Sequence, residues 1–200
     1  RLAVHADPEA PPLATASFLV EDFTPERVDL TLTLADGAID PAAPPTLAAR
    51  ADFLWGAPGA DLPLEGETRI TMARELPGHP SFLFGLEDEP FASGYAALAP
   101  ATTDAAGAAR IPLAVPQTGP VSRPLALTAT LRVRDGSGRP VERSETRPLL
   151  PATPLIGVRP LFDGAVDEGG SAGFEVIALG PDLAPASLAA VGWTLSRIET

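Results

Sequence analysis

Two histidines have the widest chemical repertoire in this chain, because imidazole binds metals and exchanges protons near neutral pH. His5 and His79 lie far apart, and each falls in a stretch that predicts a loop. Neither belongs to an H-x-x-x-H or similar metal-site spacing. We interpret both as solvated loop residues and predict no metal site at either one.

Carboxylates offer two further possibilities. Glu87, Asp88 and Glu89 are consecutive, and with Asp104 they could supply oxygen ligands to calcium. The chain has no D-x-D-x-D-G loop, and a run of acids is usually a wet loop, which is our prediction; ion binding there stays open. Glu65 and Glu67 could be a glycosidase pair, but their i, i+2 spacing puts both on one strand face, and we predict exposed strand ends.

Nucleophiles and phosphate loops are missing from the pattern. The chain has no cysteine, which excludes a disulfide, a thiolate metal site, a cysteine nucleophile and a thioester within it. No G-x-S-x-G motif occurs, and Ser137 is explained by a turn over residues 135–138. Residues 169–171, GGS, precede no predicted helix that could bind phosphate. We predict no catalytic, cofactor-binding or metal-binding residue and no enzymatic activity.

The two tryptophans, Trp55 and Trp193, could stack on sugar rings. Each falls on the apolar phase of its predicted strand. An indole on that phase normally packs in a core. We therefore predict that both are core residues.

The composition bounds the class of protein. The chain has 200 residues, 45% of them hydrophobic, so it can bury a substantial core. Its net charge is −12 and all 14 basic residues are arginine, which opposes binding to nucleic acid or to an anionic membrane. No apolar run approaches the roughly 18 residues that span a bilayer, so this segment is not expected to insert into a membrane.

Apolar residues at every second position predict the elements that carry these side chains. The clearest alternation joins Leu125, Leu127, Ala129, Leu131 and Val133. Seven strands are predicted: 26–34, 46–55, 66–73, 95–99, 108–115, 124–134 and 140–149. This number of short strands is typical of an all-β, immunoglobulin-like antiparallel sandwich.

Turn residues separate the strands. Glycines at 56–59, 103–107 and 135–138 predict tight connections. The strand at 140–149 carries charges on both faces and is predicted at an exposed edge. The acidic loop at 74–94 is expected to hold a short helix or no regular structure.

Proline-rich breaks divide the chain. We expect residues 1–22 to be a linker or the last strand of a preceding domain, in which Phe18 and Val20 close one sandwich. Residues 23–153 would form a complete domain. Residues 154–200 would begin a further, truncated sandwich, with strands near 156–158, 174–179 and 191–195. We expect the central part to fold alone and residues 153–200 not to.

Several stretches resemble one family, the bacterial alpha-2-macroglobulins. Residues 18–27, FLVEDFTPER, resemble the junction between tandem macroglobulin-type domains. Residues 53–58, FLWGAP, and 102–107, TTDAAG, resemble two of the family's turns. Residues 156–164, IGVRPLFDG, followed by FEVIA at 174–178, resemble the opening of the next domain. The four matches occur in the family's order over nearly the whole chain.

The resemblance implies a function that the residues alone do not. The family consists of large periplasmic protease traps, broad-spectrum endopeptidase inhibitors that capture an attacker through a thioester after a bait region is cut. It implies that this chain holds a mid-chain macroglobulin-type domain, the fifth, and the start of the sixth. The implied partners are neighbouring domains and target proteases, and the implied location is the periplasm or cell envelope, with or without a lipid anchor. No bait or thioester position is present to carry over.

The same sandwich pattern admits a second hypothesis. Immunoglobulin-like modules also occur in extracellular adhesins and carbohydrate-binding proteins. The two tryptophans would then be the candidate contacts for a glycan.

Overall fold

The computed structural model describes residues 2–7, 10–18, 26–136 and 140–194. These residues form strands and irregular segments but no helix, so none of them forms a helix able to cross a bilayer. The all-β class is confirmed. The strands are β1 Leu2–Val4, β2 Ala14–Ala16, β3 Val28–Thr33, β4 Thr46–Phe53, β5 Pro63–Met72, β6 Leu83–Phe84, β7 Tyr95–Ala97, β8 Ala101–Thr102, β9 Ala108–Pro112, β10 Leu125–Val133, β11 Val141–Pro148, β12 Leu155–Pro160 and β13 Phe174–Leu179.

The seven predicted strands of the central domain are all present, with ends shifted by up to three residues. They are β3, β4, β5, β7, β9, β10 and β11. The order β3-β4-β9 makes one antiparallel sheet, and β11-β10-β5-β7, with β8 also on β5, makes the other. Strand β11 lies at a sheet edge, as its charges predicted.

One apolar cluster fills the space between these two sheets. It includes Val28, Leu30 and Leu32 from β3, Leu47, Ala49 and Ala51 from β4, Leu64 and Ile70 from β5, Ile111 from β9, and Leu127, Ala129, Leu131 and Val133 from β10. Alternate residues face outward and are polar, as in the hydroxyl pairs Thr128–Thr146 (2.8 Å) and Thr130–Ser144 (2.9 Å) across β10 and β11. Period-two burial between two layers is the signature of a sandwich.

Tight turns hold the strand ends where the glycines predicted them. Gly56 has a φ of +92° and its N–H donates to Phe53 O at 2.8 Å. Gly107 has a φ of +77°, and its N–H donates to Asp104 O at 2.9 Å. A Cβ at Gly107 would lie 2.3 Å from Ala51 O, so this turn needs glycine for space as well as for φ.

A separate three-stranded sheet has the order β13-β12-β6. Its strand β6 comes from the loop at 74–94, where we expected a short helix or no regular structure. The expectation was wrong because β6 is only two residues long and is ordered by pairing with β12, more than 70 residues later. Local pattern carries no information on such a pairing.

The ends of the chain depart from the predicted pattern in two places. Strands β1 and β2 form their own two-stranded antiparallel sheet, and Phe18, after it, is 60% exposed; Val20 lies outside the described residues. The strand expected at 191–195 is absent from the described residues 191–194, and Leu195 lies beyond them.

Candidate functional site

The two histidines do not share a site. His5 is exposed, and its Nδ1 lies 2.8 Å from Ala10 O within its own loop. His79 packs edge-on against the ring of Phe84, with centroids 6.4 Å apart. Within the described ranges, no three His, Asp or Glu side chains are grouped so as to hold a metal ion.

Three of the four candidate calcium ligands, Glu87, Glu89 and Asp104, have other partners. Glu87 pairs with Arg74 at 2.6 Å. Asp104 accepts hydrogen bonds from the backbone N–H groups of Ala106 and Ala108, both at 2.9 Å, and so closes its own turn. Within the part of the chain that the structure describes, these acids are not grouped so as to hold a metal ion, and Glu87 and Asp104 each contact their own loop or turn.

The glutamates Glu65 and Glu67 lie in the middle of β5, so their placement at strand ends was wrong. Glu67 contacts Arg132 at 3.5 Å, and Arg132 also pairs with Glu142 at 2.5 Å across the sheet. The hydrogen bond that Arg132 donates to the Glu142 carboxylate, and then the charge of Glu142, raise the pKa of Arg132. This exposed cross-strand network matches sheet pairing rather than acid–base chemistry.

The glycine stretch at 169–171 forms a turn. Gly170 N–H donates to Asp167 O at 2.9 Å, and Gly169 has a φ of +80°. No helix follows it in the described residues, as expected, and Ser137 lies outside them.

Both tryptophans are exposed, and the prediction of core positions was wrong. Trp55 is 65% exposed and Trp193 is 84% exposed. Strand β4 ends at Phe53, so Trp55 lies in the following turn, where alternation no longer decides which side chain is buried. The Trp55 ring stacks on Phe53 with a centroid distance of 4.3 Å and an interplanar angle of 12°. Trp193 lies in irregular chain.

Two buried hydroxyl groups were not predicted from the sequence. Thr103 is 2% exposed; its Oγ1 accepts from Leu62 N–H at 2.8 Å and donates to Gly59 O at 2.6 Å. Thr68 is fully buried, and its Oγ1 lies 2.5 Å from Ala114 O. Each hydroxyl pairs with the backbone of a segment distant in sequence, which substitutes for missing ladder bonds. For Thr103 the available signal was its place in the TTDAAG stretch.

A shallow cavity of about 400 Å³ lies beside the loop at 115–123. Its lining is mainly apolar and proline-rich, with Arg123 as the charged residue. The lining contains no carboxylate or histidine that could act with Arg123. The cavity therefore lacks an acid–base pair.

The most developed contact outside the main core joins residues 74–89, here named the bridging segment, to the hairpin of β12 and β13. Strand β6 pairs antiparallel with β12 through Phe84↔Gly157 and Leu83↔Val158. A second apolar cluster lies behind this pairing, formed by Leu76, Phe82, Phe84, Leu155 and Leu179. The contact therefore joins two parts of the same chain through backbone pairing and apolar packing.

Comparison with known families gives a match for each part of this arrangement. Residues 26–151 match the family described as the bacterial alpha-2-macroglobulin MG5 domain. The chain belongs to the bacterial alpha-2-macroglobulin family. Residues 157–200 match the next module, bacterial macroglobulin domain 6.

Curated relatives carry the same family name. The Alpha-2-macroglobulin of Xylella fastidiosa strain Temecula1 is 35% identical over 181 residues, covering 89% of this chain and 11% of the relative. That of Escherichia coli K12 is 28% identical over 176 residues, covering 80% of this chain and 11% of the relative. The chain therefore spans about a ninth of the relatives it matches.

Solved macroglobulins share the fold. Trypsin-activated alpha-2-macroglobulin from E. coli superposes with a TM-score of 0.61 at 24% identity, over 80% of this chain and 12% of that one. Salmonella alpha-2-macroglobulin reacted with methylamine gives a TM-score of 0.60 at 25% identity, over 80% and 11%.

The stretches that suggested macroglobulin domains take up defined places in the fold. FLWGAP forms the end of β4 and its turn, and TTDAAG forms the turn between β8 and β9. IGVRPLFDG and FEVIA contribute most of β12 and β13. Most of FLVEDFTPER lies outside the described residues.

Proposed function

We propose that this chain is a structural segment of a broad-spectrum endopeptidase inhibitor, a bacterial protease trap, and is not itself an enzyme. The observation that carries the proposal is the tandem match to macroglobulin domains 5 and 6, in that order along one chain. The segment has no cysteine, so the covalent step of such a trap would take place elsewhere in the parent protein.

The descriptions of related structures support a protease-directed role. The E. coli protein is described as activated by trypsin and, in another structure, by porcine elastase. Transferred to this family member, they make endopeptidases such as trypsin and elastase the proposed targets. The periplasm or cell envelope is the location that the family resemblance implies. The other partners would be neighbouring domains of the same polypeptide.

We further propose the division into residues 1–22, 23–153 and 154–200, with the last part opening a second sandwich. The outward face of the β12–β13 hairpin supports this division. Ile156, Val158, Phe174 and Val176 alternate on that face and are 38–54% exposed. An apolar sheet face of this kind suits the inner layer of a sandwich.

The proposed protease-trapping function is tested by mixing the full-length parent protein with trypsin or elastase. Cleavage is followed by gel electrophoresis, and retention is followed by co-elution of protease activity with the parent protein in gel filtration. We expect both cleavage and retention. A parent protein that is neither cut nor able to retain either protease refutes the proposal.

A second candidate function, glycan binding, is favoured by the exposed Trp55 ring resting on Phe53. Flat exposed indoles can stack on sugar rings. Its test is glycan-array binding by the wild-type chain and Trp55→Ala, with Leu54→Ala as the control, because Leu54 is equally exposed at 66% but has no ring. Binding lost only in Trp55→Ala supports this candidate; no binding by the wild type rejects it.

A further inference from the structure

The bridging segment starts from the end of β5 and contributes β6 to the sheet of the following unit. Phe82 is 6% exposed and Phe84 is 2% exposed, although both belong to a surface loop. They are buried because Leu155 and Leu179 cover them from the hairpin. The contact therefore shares one small core between the two units.

The fit at this contact is close. A Cβ on Gly157 would lie 2.6 Å from a ring carbon of Phe84, so the ring lies directly against the β12 backbone. The guanidinium of Arg159 lies over the ring of Phe82, 4.7 Å from its centroid, and also pairs with Glu175 of β13. Stacking of this kind adds orientation to the apolar contact.

The other end of the bridging segment is fixed to the central sandwich by a group of bonds that we name the latch. Ser122 N–H lies 2.9 Å from both carboxylate oxygens of Glu89, and Ser122 Oγ donates to Glu89 Oε2 at 3.0 Å. The same Oγ accepts from Leu86 N–H at 3.0 Å. Ser122 lies at the end of the loop at 115–123, three residues before β10, so the latch ties the bridging segment to the chain that enters a central strand of the main core.

The latch and β6 are separated by one residue, Gly85. Its φ is +68°, and a Cβ there would lie 2.6 Å from the Ser122 carbonyl. The bonds of Leu86 and Glu89 to Ser122 therefore begin just after β6, which pairs with β12.

We propose that the bridging segment is an interdomain clamp, in which the Glu89–Ser122 latch positions β6 so that it binds the β12 edge of the following macroglobulin unit and makes the two units move together. The coupling runs through consecutive residues with defined contacts, from Ser122 through Leu86 and Gly85 to β6 and β12. It depends on the described contacts and not on protease inhibition.

The test is hydrogen–deuterium exchange on the 200-residue chain. Glu89→Ala removes the carboxylate acceptor of the latch, leaves the bond from Leu86 N–H to Ser122 Oγ in place and does not touch the shared core. Charge-assisted hydrogen bonds are stronger than neutral ones, so we expect exchange in peptides covering β12 and β13 to rise about tenfold or more, with β3, β4 and β9 unchanged. Asp88→Ala is the matched control, because it removes the same charge from the neighbouring exposed residue.

A second pair of variants tests the other end. Phe84→Ala should release β12 and β13, whereas Leu83→Ala should not, because the Leu83 side chain is 56% exposed on the opposite face of the same strand. Adding Glu89→Ala to Phe84→Ala should have little further effect, because both act through one contact. If Glu89→Ala does not fold, Ser122→Ala tests the latch instead.

The proposal is overturned if the latch variant leaves β12 and β13 as protected as in wild type while Phe84→Ala exposes them. It is equally overturned if the latch variant raises exchange uniformly over both units, or if the two substitutions add fully. None of these results bears on whether the parent protein retains proteases, so the two proposals fail separately.

Discussion

The buried hydroxyl of Thr103 is the sharpest point at which the stability of the central sandwich can be tested. Thr103→Val replaces the hydroxyl by a methyl group of similar size, so the packing volume is nearly kept. The substitution leaves Leu62 N–H and Gly59 C=O without the Oγ1 partner that lies 2.8 and 2.6 Å away. Thr103 itself is 2% exposed, so water has little access to the two backbone groups left unpaired.

The magnitude follows from the cost of unpaired buried groups. Each buried donor or acceptor left unpaired lowers the free energy of unfolding by about 1–3 kcal/mol. A carbonyl tolerates the loss better than an N–H, so we expect the free energy of unfolding to fall by about 2–4 kcal/mol in total. With a urea m-value of about 2 kcal/mol per molar, the midpoint should fall by roughly 1–2 M.

The assay is urea unfolding followed by circular dichroism, together with exchange of the Leu62 amide. The control is Thr103→Ser, which keeps the hydroxyl and removes one methyl group, at a cost of about 1 kcal/mol. We expect the serine variant to be clearly more stable than the valine variant, and the Leu62 amide to exchange faster only in the latter. A valine variant as stable as the serine variant refutes the reasoning that these two bonds hold the turn to the core.

Four further predictions concern the core, a surface ion pair, the pH dependence of that pair and the end of the chain. Leu131→Ala, at a fully buried position of β10, should cost about 2–5 kcal/mol in urea unfolding, whereas Leu54→Ala, 66% exposed, should leave the midpoint close to wild type. Glu142→Gln should leave the midpoint indistinguishable from wild type at neutral pH, because the Arg132–Glu142 pair is exposed; a large loss would contradict this view. The raised pKa of Arg132 favours its charged form in the folded protein. Its contribution to the free energy of unfolding is therefore complete at every pH below the ordinary arginine pKa and is lost only when the pH rises through the raised value. We expect no change in stability from this residue between about pH 5 and 9. In limited proteolysis of the whole chain, residues beyond 153 should be trimmed before residues 26–151, and a resistant C-terminal fragment would refute that order.

Alternation succeeded where burial is decided within a strand. Leu127, Ala129, Leu131 and Val133 are buried, as their spacing predicted, because a pleated strand between two layers has one inner face. Alternation failed for Trp55, which lies two residues beyond the end of β4. Trp55 keeps the apolar phase of β4 in sequence, but it lies within the turn at 54–56, and its ring is exposed.

Buried polar residues could not be predicted from the same pattern. Thr103 is buried because its hydroxyl bonds to the backbone at Gly59 and Leu62, which depends on how two distant turns meet. A sequence period reports whether a side chain is apolar, and it does not report which backbone groups lack a partner. The family resemblance marked the TTDAAG turn, but it did not give the physical role of the threonine.

The boundary between the two macroglobulin units shows most clearly what local reasoning misses. The proline-rich break before Leu155 marks the change of unit in the sequence, and the family matches end and begin on either side of it. The apolar contacts do not stop there, because Phe82 and Phe84, which precede the break by about 70 residues, share a core with Leu155 and Leu179. A small unit buries too little surface to be stable alone, and part of the surface that the β12–β13 hairpin buries is supplied by the preceding unit. The boundary that the sequence marks between the two units is therefore crossed by a shared apolar core. The strand that joins the units, β6, lies in the stretch at 74–94, whose local pattern predicted a loop.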